Sequence, residues 1–313
     1  MTRRHVFAVL RWAVVVLVLG FLGYQLWRVR HGVADSLRLV GWSNALLAAG
    51  LTAIGGAPGF FGWRILLAGL GTRLPLPVAA RVFFLAGITR YLPGGVWPAV
   101  AHAAMARPLG EPSARLAGAF VASQGLAVVA GMAVGLIALP WLVAADAIWW
   151  LLLPVFAGAL VPLVAPQLFG RLLGVAQRVL RRGSAPIGLP GRRTLLAVTG
   201  LMVLGWLTAG LHVTVLAVAL GAPPAGALSV GIGGFALATV AGIFSLVMPS
   251  GLGPREAVLG LTLATLLTGP GLITLVALSR VLMTVADVVS TGVVLGLLSW
   301  NARRAPITEG VSS

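Results

Sequence analysis

Six carboxylates are spread over the chain, at Asp35, Glu111, Asp146, Glu256, Asp287 and Glu309, and only Glu256 and Asp287 fall inside long apolar runs. The cations placed to answer them are Arg90, Arg255 and Arg280. A charge held away from water is costly unless it is paired or wetted, so ionisable residues in such runs point to a functional site before they point to scaffold. Arg280, Thr284, Asp287 and Thr291 recur at helical spacing and would form one polar stripe on an otherwise apolar helix. The plainer alternative makes Glu256 a helix cap and Arg280 a structural partner of Asp287.

These charges sit beside two interruptions. Residues 241–263 read AGIFSLVMPSGLGPREAVLGLTL, an apolar run broken by Pro249, Gly251, Gly253 and Pro254. Proline lacks an amide hydrogen and glycine loosens the backbone, so a helix should stop near Met248. Pro254 suits the first turn of a new one, with Glu256 at the positive end of its dipole. Residues 80–112 are broken in the same way at Pro93, Gly94, Gly95 and Pro98, with a half-helix expected from near Val96. A broken helix in an apolar run is tolerated only where protein buries it or water lines it. Helix starts favour anions, and the phosphate of a lipid headgroup is a natural occupant. The candidate substrate-binding set is therefore Arg90, Pro93, Gly94, Gly95, Pro249, Gly251, Gly253, Arg255, Glu256, Arg280 and Asp287.

Other chemistry is poorly represented. His5, His31, His102 and His212 have no metal-ligand spacing, so no metal is expected. Ser250 and His212 could be imagined as an intramembrane pair, but PSG lacks a nucleophile-elbow context. GIGGF at 231–235 follows no strand, and no Walker motif is present, so no nucleotide or other cofactor is expected and no catalytic residue is assigned.

The elements that must position the charges follow from composition. Of 313 residues 59% are hydrophobic and 9% charged, with mean hydropathy +1.04, which fits an all-α polytopic membrane protein. Cysteine is absent, which removes disulfides and thiolate sites. The net charge of +16 comes from 22 arginines and no lysine, and fits the positive-inside bias rather than nucleic-acid binding. The all-arginine, Ala-, Gly- and Leu-rich composition suggests a GC-rich bacterial genome, and the expected location is then the bacterial inner membrane. Six full spans are expected: 12–26 (retained, not a cleaved signal), 43–70, 116–139, 148–166, 195–220 and 271–300. Two broken hairpins, within 80–112 and 228–263, separate them, and 28–42 reads as an amphipathic connection. Arginines at 167–193 and Arg303–Arg304 put that loop, both termini and the tail 301–313 in the cytoplasm, with 140–147 and 221–226 outside.

An offset of 156 lays Pro93 on Pro249, Gly95 on Gly251, Pro98 on Pro254 and Ser123 on Ser279. We read two repeats, 1–140 and 147–300, within one membrane domain. Arg73, Arg81, Arg107 and Arg115 flank the first hairpin and uncharged loops flank the second, so the repeats should be inverted, as in many transporters.

At YLPGG (91–95) and MPSGLGPREAVL (248–259) the chain resembles the flippase-like membrane proteins of the lysylphosphatidylglycerol synthase transmembrane-region family. The shared pattern is a proline-glycine break and then P-x-G-x-G-x-x-E, here Pro249, Gly251, Gly253 and Glu256. The resemblance implies lipid translocation without the soluble aminoacyl-transfer domain of larger members. The expected cargo is an anionic or aminoacylated lipid or a lipid-linked sugar. One alternative is an accessory subunit partnering an envelope aminoacyl or glycosyl transferase. Another is a small-solute transporter.

Overall fold

Prolines mark where the helices begin. In the computed structural model, which describes residues 35, 38–92, 95–154, 156–157, 190–245 and 249–304, α1 (Arg38–Gly69) is followed by α2 (Leu76–Ile88), which opens after Pro75. Next come α3 (Trp97–Ala106), with Pro98 in its first turn, and α4 (Ser113–Ala145), preceded by Pro112. The chain continues with α5 (Arg192–Ala219), α6 (Pro224–Phe244), α7 (Pro254–Leu263) and α8 (Gly269–Arg304). Pro224 and Pro254 are first helical residues, where a missing N–H is harmless. No strand occurs among the described residues. Among them α1, α4, α5, α6 and residues Gly269–Ser299 of α8 are long and apolar enough to cross a membrane.

Several boundaries differ from expectation. Helix α1 is already helical at Arg38, before the expected 43, and takes in part of the expected connection, with Gly41 (φ +70) in its first turns. Helix α4 runs to Ala145 rather than 139, since Pro140 sits where a 3-10 turn (Leu136–Ala138) hands over to a new first turn. Helix α6 starts at 224 rather than 228 and ends at Phe244 rather than near Met248, where Ser245 leaves helical geometry. Its 21 residues span about 31 Å, so the first arm of the second hairpin is long enough to cross alone. Arg303 and Arg304 lie within α8, not beyond it. At 148–166 the chain begins as a 3-10 turn (Ala147–Leu151) capped by Asp146. The rest of that expected span, the span at 12–26 and most of 167–193 lie outside the described residues.

In lipid, helices gain little from hiding apolar surface on one another, so close packing at small residues holds them together. Helix α6 is the centre of this packing, with 61% of its most apolar window buried against 11% for α8. A Cβ on Gly231 would lie 2.6 Å from Thr214 of α5, and one on Gly234 would lie 2.6 Å from Thr262 of α7. Helix α1 comes as close at Gly55, where a Cβ would meet Ala209 of α5 at 2.7 Å. Helix α2 packs on α8, α6 packs on α4, and the turn Thr89–Tyr91 after α2 touches the turn Pro249–Gly251 after α6. The two interruptions therefore meet inside the bundle.

Candidate functional site

The second break is shaped by three residues with left-handed backbone. Ser250 (φ 50), Gly251 (φ +69) and Gly253 (φ +94) turn the chain between α6 and α7. A Cβ at Gly251 would lie 2.5 Å from the Cα of Gly242, so only glycine lets the turn lie on α6. Glu256 then serves two purposes. Its Oε2 accepts from the Gly253 N–H at 2.8 Å, closing the start of α7. Its Oε1 faces Arg255 Nη1 at 3.2 Å and Arg280 Nη1 at 3.3 Å. Arg280 also donates to the Ser250 carbonyl at 2.9 Å, tying α8 to the turn.

Arg255 is the most deeply set of the charged groups, with 2% of its side chain exposed. Its Nη2 donates to Ser279 Oγ and approaches Met283 Sδ, both at 2.9 Å, and its guanidinium lies 5.5 Å from the Phe235 ring centroid. Its Nε finds no partner among the described residues. Ser279 is in turn bonded to His212 Nε2 at 2.9 Å. Because His212 Nδ1 faces the Ala209 carbonyl, that nitrogen carries the hydrogen and Nε2 accepts from the serine. The result is a chain of donors from Arg255 through Ser279 and His212 to the backbone of α5.

The first break supplies the other pair. Arg90 Nη1 lies 3.5 Å from Asp287 Oδ2, the Tyr91 hydroxyl donates to the same oxygen at 2.8 Å, and Arg90 Nε is held by the Gly87 carbonyl. Asp287 thus binds the first break and Arg280 the second, two turns apart on α8. This corrects the plainer expectation of an Arg280–Asp287 pair, and Glu256 caps and pairs at once. Thr284 and Thr291 donate to their own helix, at the Arg280 and Asp287 carbonyls, whereas Arg280 and Asp287 of the same stripe reach across to the two breaks. The imagined Ser250–His212 pair is replaced by Ser279–His212.

Of the candidate residues, Arg90, Gly251, Gly253, Arg255, Glu256, Arg280 and Asp287 are brought to these adjoining clusters, and Pro249 opens the turn. Gly95 lies exposed just before α3, whereas Pro93 and Gly94 lie outside the described residues. Sequence reasoning passed over Tyr91, Phe235, Ser279 and Met283 as partners and gave His212 a different serine, Ser250. Only Ser279 carried a signal, through its match to Ser123. Among the described residues no three His, Cys, Asp or Glu side chains come together.

Beside the clusters is a cavity of about 320 Å³, within the range that holds small ligands. Its wall is mainly apolar and aromatic, including Phe83, Trp206 and Phe235, and Arg90 and Asp287 face it. Phe235 and Met283 stand between the cavity and Arg255. No family model matches the chain, and no curated protein matches it.

Proposed function

We propose that this chain is a lipid translocase of a bacterial inner membrane, which takes a phosphate-bearing headgroup at the meeting point of the two breaks and moves it between leaflets. The observation that carries this reading is the convergence of five charged side chains, from α7, α8 and the turn after α2, beside a largely apolar cavity. Three arginines against two carboxylates leave that core one negative charge short, which favours an anion. The resemblance to flippase-like proteins at 91–95 and 248–259 points the same way.

An inverted repeat supports alternating access. Helices α3 and α7 each have ten residues and start 157 positions apart, at 97 and 254, while α4 and α8 start 156 apart, at 113 and 269. Packing is reciprocal, with α2 on α8 as α6 is on α4, and the turns meet between them. With the expected spans at 12–26 and 148–166, each half would hold two spans, a hairpin and one more span.

The test is lipid transport in reconstituted vesicles. Glu256→Gln should abolish transport while leaving a folded protein, Arg280→Gln should impair it, and the double change should be no worse than either alone. Wild-type transport by Glu256→Gln would sink this reading and leave the carboxylate as a cap.

A further inference from the structure

We infer that the cavity beside the breaks receives an uncharged, hydroxyl-rich headgroup, such as an inositol or a hexose carried on a phosphodiester, rather than a bare phosphate or an ammonium-bearing group. This rests on the translocase reading and names the chemistry of its cargo. Thr52, Thr239 and Thr291 line the cavity from α1, α6 and α8. Each hydroxyl donates its proton to a carbonyl of its own helix, at Ala48, Phe235 and Asp287 respectively. What these oxygens offer a ligand is lone pairs. Asp287 adds a carboxylate, again an acceptor, and Arg90, the charged donor on this wall, is already paired with it at 3.5 Å.

Three cargo chemistries meet this wall differently. A phosphate brings only acceptors, finds side-chain donors on this wall at Gln124, Ser290 and Arg90, and must compete with Asp287 for the last, the one that carries charge. An ammonium brings donors, but it adds a positive charge to a core holding three arginines against two carboxylates. Hydroxyl groups bring donors and change no charge, so they satisfy the threonines and Asp287 together. Trp206, whose indole N–H is engaged by the Ala127 carbonyl at 2.8 Å, is left to offer its ring face to the apolar side of such a ring. The phosphodiester would then point past Met283 towards Arg255.

The experiment titrates the full-length, detergent-solubilised protein with four probes and follows tryptophan fluorescence. The probes are phosphatidylinositol, a polyprenyl phosphohexose, phosphatidic acid and an aminoacylated phosphatidylglycerol. At least one of the first two should bind about tenfold more tightly than either of the last two, and comparing those two separates an inositol from a lipid-linked sugar. Thr239→Val and Thr291→Val should each reduce that preference about fivefold while leaving phosphatidic acid affinity unchanged. Equal affinities across the probes, or tightest binding of the aminoacylated lipid, would overturn the inference and leave translocation standing. Saturable binding of none of the four would overturn both. The wild-type comparison decides this alone if a variant fails to fold.

Discussion

Ser279 has a side chain with no solvent exposure, and its hydroxyl joins a buried arginine to a buried histidine. Ser279→Ala would leave His212 Nε2 without its donor and remove an acceptor from Arg255, whose Nε already has no partner among the described residues. We expect a loss of about 1–3 kcal/mol, the cost of stranding buried polar groups. Ser279→Thr keeps the hydroxyl and should recover most of it. Chemical unfolding of the purified protein measures both, and equal stability of the alanine variant and wild type would show that the bridge contributes nothing. The Arg90–Asp287 contact is a weaker tie. Its atoms are 3.5 Å apart and its side chains, 41% and 31% exposed, face the cavity, so it lies open to exchange with a ligand.

At the scale of elements, the turn after α6 depends on a contact between two glycines. Gly251 and Gly110 share a left-handed backbone, at φ +69 and φ +68, but a Cβ at Gly110 would meet nothing within 4 Å. The two positions separate strain from crowding. Gly110→Ala should cost about 1 kcal/mol, the backbone penalty alone. Gly251→Ala adds a Cβ 2.8 Å from the Gly242 carbonyl oxygen and should cost more than about 2 kcal/mol. It should also displace Ser250 and loosen the bond from Arg280. Thermal unfolding of both variants checks the difference, and equal losses would mean that α6 yields to the added methyl.

At the scale of the molecule, packing sorts the loops to two ends. Gly69 lies against Pro190 and Thr194, and Gly71 against Arg115, so Arg73, Arg115, Arg192 and Arg193 share one end. Gly226 lies against Trp141 and Leu266, so the 221–226 turn belongs to the other. By the positive-inside rule we propose that the first end is cytoplasmic. In this cysteine-free chain, a cysteine at Ala225 should react with an impermeant reagent added outside intact cells, whereas one at Leu109 or Ala185 should react only after lysis. Labelling of Leu109 or Ala185 from outside would overturn the orientation. Arg38 falls away from the arginine-rich end, at the far end of α1 from Gly69, where it pairs with Asp35 at 3.5 Å.

What the sequence determined by itself is what near neighbours decide. A proline cannot donate, so α7 opens at Pro254 and α6 cannot run through Pro249. Glu256 falls in the first turn of α7 by counting, and apolar length marks the long helices. Which carboxylate answers which arginine was not legible. Tyr91 and Asp287 are 196 residues apart, His212 and Ser279 are 67 apart, and both contacts depend on how helices cross. Burial chose among those partners: once the two breaks are packed against α8, a charge without an opposite neighbour there would be costly. The threonines on the cavity wall follow the same logic, since their residue type is local information and the wall they share is built by six helices.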